Sequence, residues 1–109
     1  MPKGIMLVTS RPSDPAREGE YNEWYTNTHI PEVCALPGIV GGRRYRPYGG
    51  GDSPAGDPPA YVAIYDLDTD DLGSVMVELG KAFGDGRIHM SDAIQMDPAP
   101  DIAVYELME

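Results

Sequence analysis

Two phenols, an indole and an imidazole fall at helical spacing in Tyr21-Asn22-Glu23-Trp24-Tyr25-Thr26-Asn27-Thr28-His29-Ile30-Pro31-Glu32-Val33. This short run holds three of the nine aromatic residues and one of only two histidines. On a helix, Tyr21, Tyr25, Thr28 and His29 share one face, with Trp24 on its flank. A core-facing stripe more often carries Leu, Ile and Val, so hydroxyls, an indole N–H and an imidazole in that position read as the wall of a pocket. Pro31 disfavours helical geometry at Ile30, which places His29 in or beside the last turn. There the helix dipole favours the imidazolium, suiting a proton donor or an anion-binding group. A phenol within reach of that imidazole makes a usable proton-transfer pair.

Each of these residues also has a plainer reading. His29 could hydrogen-bond a carbonyl at the helix end. Trp24 reads first as a packing residue and only second as a ligand platform, because burying an indole is strongly stabilising. Tyr21 and Tyr25 are balanced between core and pocket. His89 lies in a long loop, as an exposed side chain or as a lid residue completing the cleft. Among Arg43, Arg44 and Arg46, solvated side chains or partners for nearby acids are the default, yet Arg44 and Arg46 share one side and suit a substrate carboxylate. Cys34 has no activating basic pair nearby and reads as an inert buried thiol.

The elements that must position these residues follow from periodicity. Ile5 to Thr9 is an apolar, β-branched strand. Asp14 can cap a helix with Pro15 at its first position, running from Ala16 to His29. Pro31 opens a short turn through Leu36, and Pro37-Gly38 leads into a second strand, Ile39 to Tyr48. Gly49 to Pro59 is an irregular connection. Tyr61 to Leu67 is a third strand. Thr69 or Asp70 caps a second helix, with Leu72, Val75, Met76, Leu79 and Phe83 at core-facing spacing and Gly84-Asp85-Gly86 as its stop. Residues 87–101 form a long loop, a lid or a short extra helix. Ile102 to Leu107 closes the sheet. The order β-α-β-β-α-β is that of a ferredoxin-like α+β fold, an antiparallel sheet with two helices on one face. Strands one, three and four carry apolar residues of both parities, so the second sheet face needs a cover, most simply a symmetric partner.

Composition narrows the function further. The 109 residues make one domain, 1–109, with a modest core. A net charge of −10, from 18 acidic and 8 basic residues, argues against nucleic acid and against an anionic membrane surface. No apolar run approaches membrane-spanning length, and the start of the chain lacks the apolar core of a signal peptide. With a single cysteine excluding an internal disulfide, a cytoplasmic protein is expected. Two histidines and one cysteine give no zinc spacing, and no metal is expected. Gly49-Gly50-Gly51 lacks the lysine and helix of a phosphate loop, and neither a nucleotide fingerprint nor a Gly-x-Ser-x-Gly elbow is present.

The pattern Tyr-x-x-Trp-Tyr-x-x-x-His-Ile-Pro-Glu-Val, followed by Pro-Gly-Ile-Val and Arg-Arg-Tyr-Arg, resembles the dimeric α+β-barrel superfamily on its EthD-like side. The likeness is strongest over residues 20–46. It implies two sheets facing each other in a homodimer and a small-molecule cleft between helices and sheet, with His29 at the position where a histidine often lines that cleft. Relatives in the superfamily include muconolactone-type isomerases, polyketide cyclases and small monooxygenases. The expectation is a cofactor-independent enzyme doing isomerase-, cyclase- or lyase-type proton transfer on a small hydrophobic cyclic or aromatic molecule. His29 would be acid and base, Tyr25 or Tyr21 its hydrogen-bonding partner, and Trp24, Arg44, Arg46 and His89 substrate contacts. The alternatives are a non-catalytic binding or accessory protein and a cofactor-free monooxygenase.

Overall fold

A computed structural model describes residues 3–48, 60–97 and 99–108. The strands are β1 (Lys3–Ser10), β2 (Ile39–Tyr45), β3 (Tyr61–Asp68) and β4 (Asp101–Glu106), and the helices α1 (Glu18–Trp24), α2 (Ile30–Cys34) and α3 (Leu72–Asp85). All strand pairings are antiparallel, in the order β2-β3-β1-β4. This is the ferredoxin-like arrangement, because α1, a π-helical turn at Tyr25–His29 and α2 form one continuous first helix. The expected connection at Gly49 to Pro59 lies outside the described residues.

Local chemistry sets the helix ends. Asp14 accepts from the Ala16 N–H at 2.8 Å and opens a short 3₁₀ turn, Pro15–Arg17. For α3 the cap is Asp71, not Thr69 or Asp70: its carboxylate accepts from the Gly73 N–H at 3.0 Å. Gly86, at φ 87°, ends α3 in the left-handed region.

The expected helix stop at Pro31 does not occur; the helix runs on to Cys34. Pro31 lacks the N–H that would reach back to Asn27, and its ring would crowd the same carbonyl. The wider turn just before it absorbs that mismatch. There the Ile30 N–H donates to the Tyr25 carbonyl, five residues back.

The register sorts the sheet into two faces. Met6, Val8 and Ser10 of β1 align with Tyr65, Ala63 and Tyr61 of β3 on the helix-covered face. There Tyr21, Tyr25, Val33, Leu36, Val75, Leu79 and Ala82 pack onto them as the core. The opposite face carries Ile5, Leu7, Val62 and Ile64, all half-buried, with the exposed rings of Tyr45 and Tyr105. The long segment after α3 forms no helix among its described residues. It packs as a wall instead: Ile88, Ala93 and Ile94 are buried, Ser13 N–H donates to the Ala93 carbonyl at 2.6 Å, and Gln95 N–H to the Arg11 carbonyl at 2.9 Å.

At Gly42 the sheet packs closely against the first helix. A Cβ there would stand 3.0 Å from a Tyr65 ring carbon and 3.1 Å from the Cys34 sulfur. Gly42→Ala is therefore expected to destabilise the protein by roughly 1–3 kcal/mol, the range for overpacking, read as a lower denaturation midpoint in urea.

Candidate functional site

The first helix presents Tyr21, Tyr25, His29 and Val33 to the core at a constant spacing of four, all four buried. In a regular α-helix a four-residue step overshoots a full turn by about 40°, so such a row would drift off one face within three steps. The π-helical turn slows that rotation and keeps His29 in line with the tyrosines.

His29 is enclosed by rings. Trp24 lies at 4.7 Å between centroids with planes tilted by 30°, Tyr25 meets the imidazole edge-on at 4.8 Å, and Phe83 of α3 stands at 6.5 Å. Trp24 is itself fixed by its indole N–H, which donates to the His89 carbonyl at 2.9 Å. The imidazole opens onto a cavity of about 440 Å³, within the range of small-molecule sites. Met6, Val8 and Tyr65 contribute its sheet side, Tyr25 and Val33 its first-helix side, and Leu79 and Phe83 its α3 side. Met90, Ile94, Met96, Ala99 and Pro100 from the segment after α3, with Ile102 of β4, complete it.

Three polar atoms of these lining residues are buried without a hydrogen-bond partner: the Tyr25 hydroxyl, the Tyr65 hydroxyl and His29 Nδ1. The two phenols are near enough to bias each other's ionisation, yet they form no hydrogen bond of acceptable geometry. A buried donor or acceptor left unmatched costs about 1–3 kcal/mol, so three on residues that line one cavity single out this region as the candidate site. Burial pushes the Tyr25 phenol up to about 12 and raises Tyr65 as well, which keeps both as O–H donors.

The same desolvation lowers His29 from 6.5 to about 4, opposed by the Glu32 charge and assisted by Arg44. This corrects the imidazolium expected from a helix terminus. His29 lies inside the helix, away from its end, and burial makes the neutral ring the resting state.

The other expected site residues sit elsewhere. Tyr21 is buried, but its hydroxyl is paired with Ser10 Oγ at 2.6 Å and it does not line the cavity. Arg44 lies behind Tyr25, its guanidinium 4.5 Å from that ring and 5.3 Å from both Tyr21 and Tyr61. Its Nη atoms donate to Asn22 Oδ1 at 2.9 Å and Thr26 Oγ1 at 3.0 Å. With the exposed Arg46 it borders a separate open groove shared with Asn22, Tyr45 and Tyr61. The His89 imidazole is exposed and pairs with the Glu32 carboxylate, so this residue anchors the loop to α2 without lining the cavity. Cys34 is half-buried and burial raises its thiol.

Tyr65 also lines the cavity and was not among the residues expected from the sequence. The available signal was its parity with Ala63 and Leu67: a hydroxyl-bearing side chain on the covered face of a strand.

Comparison with known proteins agrees on the architecture. An EthD family protein from Bacillus halodurans C-125 superposes with a TM-score of 0.59 at 22% identity, covering 96% of this chain and 99% of that one. An EthD-like protein from Ralstonia eutropha JMP134 gives 0.51 at 18% identity, over 94% and 90% of the two chains. A protein from Shewanella loihica PV-4, provisionally described as a monooxygenase, gives 0.56 at 14% identity, over 100% and 98%. The chain thus has the fold of EthD-like proteins over nearly its whole length. No family model and no curated protein matches the sequence. Among the described residues, no helix is long and apolar enough to cross a membrane.

The depressed His29 titration makes stability depend on pH. Between about 4 and 6.5 the unfolded chain holds a proton on this ring that the folded chain refuses, so stability falls as pH drops through that window. The full shift corresponds to roughly 3 kcal/mol. Replacing His29 with Phe should remove that part of the acid sensitivity between pH 6.5 and 4.5, measured as the change in urea midpoint relative to wild type.

Proposed function

We propose that this protein is a cofactor-independent enzyme that moves protons on a small, hydrophobic cyclic or aromatic molecule, through isomerase-, cyclase- or lyase-type chemistry. The observation that carries the reading is a buried imidazole, held neutral by desolvation, that lines an apolar cavity together with the ring of Tyr25. A neutral His29 is ready to accept a proton. In so dry a site the resulting imidazolium is held only while an opposite charge develops on the substrate. The proton is therefore passed on promptly, and Tyr25, protonated throughout, serves as the partner donor. The apolar lining excludes water that would compete for the proton.

A binding protein without turnover is the second reading. What favours it is that His29 Nδ1 and the Tyr25 hydroxyl are both unmatched, so the two do not form a preassembled pair. The two readings separate kinetically. Once a screen of cyclic and aromatic compounds yields turnover, His29→Ala should lower kcat by about 10²–10⁴-fold, with His29→Gln restoring little. A binder would instead show a change in Kd alone and no turnover with wild type.

The working form in this reading is a homodimer. The uncovered sheet face, with Ile5, Leu7, Val62, Ile64 and Tyr105, is the apolar surface that a second copy would bury. Light scattering at micromolar concentration should return about twice the chain mass of 11.8 kDa. A mass near that of a single chain would remove this part of the proposal.

A further inference from the structure

With 18 acidic and 8 basic residues, this chain has carboxylates to spare for its cations. Four of the bases hold one: Arg17 pairs with Glu20 and Asp92, Arg43 with Asp66, and both Lys81 and Arg87 with Glu78. Arg44 and Arg46 are different. Among the described residues neither forms an ion pair, and the two border one open groove of about 560 Å³ with Asn22, Tyr45 and Tyr61.

The groove is built from donors. Arg44 is fixed from the helix side, where Nη2 donates to Asn22 Oδ1 at 2.9 Å and Nη1 to Thr26 Oγ1 at 3.0 Å. The bond to Oδ1 settles the orientation of the Asn22 amide and leaves its Nδ2 with the Tyr61 hydroxyl at 3.5 Å, the outer limit of a hydrogen bond. Arg46 is exposed and free to turn towards an incoming group. One carboxylate stands nearby, that of Glu18, which accepts the Tyr61 O–H at 2.5 Å. It is outside the lining, and it is a single negative charge against two guanidiniums. The local balance is therefore positive on a molecule whose net charge is −10. Tyr45, half exposed, and the ring of Tyr61 add flat apolar surface to the same groove.

We propose that this groove is a second binding site, distinct from the His29 cavity, and that it takes a small aromatic carboxylate. Guanidinium groups recognise the planar carboxylate through paired N–H donors, the Asn22 amide offers another, and the tyrosine rings accept the aromatic body. The cavity lining contains no Asp, Glu, Lys or Arg, so the two sites select opposite kinds of molecule. The assignment goes beyond the proton-transfer reading and stands whether or not the cavity supports turnover.

The test uses benzoate and benzamide, which share a ring and nearly a shape but differ in charge. Each is titrated into the full-length protein at about pH 7.5, and binding is followed residue by residue through the backbone amide signals in NMR. Benzoate should move the signals of Asn22, Arg44, Tyr45, Arg46 and Tyr61 along a saturable curve, with benzamide about fivefold weaker. Arg46→Gln, a change at an exposed side chain, should raise the benzoate Kd about threefold, the worth of one solvated ion pair. Added salt should weaken benzoate and leave benzamide unchanged. Arg87→Gln removes an equal charge elsewhere on the surface and should leave both probes as they are. Equal binding of the two probes, indifference to Arg46→Gln, or the same loss in Arg87→Gln overturns the site. So does a benzoate response centred on Met6, Leu79 and Met90, which would place the probe in the cavity. None of these results bears on the proton-transfer reading, which His29→Ala decides.

Discussion

The site depends on one local irregularity, the π-helical turn at Tyr25–His29. Without it, Pro31 would end the helix or leave a backbone clash, and the face set by Tyr21 and Tyr25 would have rotated away before His29. With it, the Ile30 N–H reaches Tyr25 and the helix continues to Cys34. His29 then lies on the core-facing side of a continuing helix. That difference controls its chemistry, since an imidazole at an exposed helix end would charge readily, whereas this one is held neutral. The turn also sets the order of the rings, so Trp24 stacks on His29 from one side while Tyr25 meets it edge-on.

Behind this neutral layer sits a cation. Arg44 lies against the rings of Tyr25, Tyr21 and Tyr61, and its Nη atoms are taken by Asn22 and Thr26. Among the described residues no carboxylate forms an ion pair with it, so its partners are aromatic faces and helix oxygens. Such a charge disfavours a second positive charge nearby and favours a negative one. Accordingly it lowers both the His29 and the Tyr25 titrations. The guanidinium thus acts across the tyrosine ring, from a groove separate from the cavity. A residue expected to grip a substrate carboxylate is engaged in setting the field of the interior instead.

The order of strands and helices was legible because each element carries its own pattern. The alternation in Tyr61 to Leu67, the core-facing spacing of Val75 and Leu79 and the glycine stop at Gly86 are local signals that the structure follows, whereas Met76 and Phe83, expected in the core, are exposed, and Ala82 is buried instead. The resemblance around Tyr21 to Val33 likewise falls on the helix that lines the cavity. What failed was the prediction at Pro31, because local sterics favour a stop and only tertiary packing reveals that a wider turn is the better solution. The partition of site residues was unreadable for a related reason. Tyr21 and Tyr25 are equivalent in helical spacing, yet the Tyr21 hydroxyl pairs with Ser10 while Tyr25 lines the cavity beside Tyr65. Spacing cannot see across to β1. Tyr65 was missed because it belongs to the other side of that same gap.

The cavity exists because the layers do not close evenly. Near Tyr21 the first helix meets the sheet tightly, with the tyrosine cluster and Arg44 filling the space. Towards His29, α3 supplies Leu79 and Phe83 at a distance, and the gap is bridged by the segment carrying Met90, Ile94 and Met96. This segment is tied to the first-helix region through separate contacts: Trp24 and Glu32 hold His89, while Arg17 holds Asp92 at 2.6 Å and Ser13 holds Ala93. A wall anchored by backbone and surface polar contacts leaves its apolar side chains free to line open space. The core is thereby kept incomplete beside His29, Tyr25 and Tyr65.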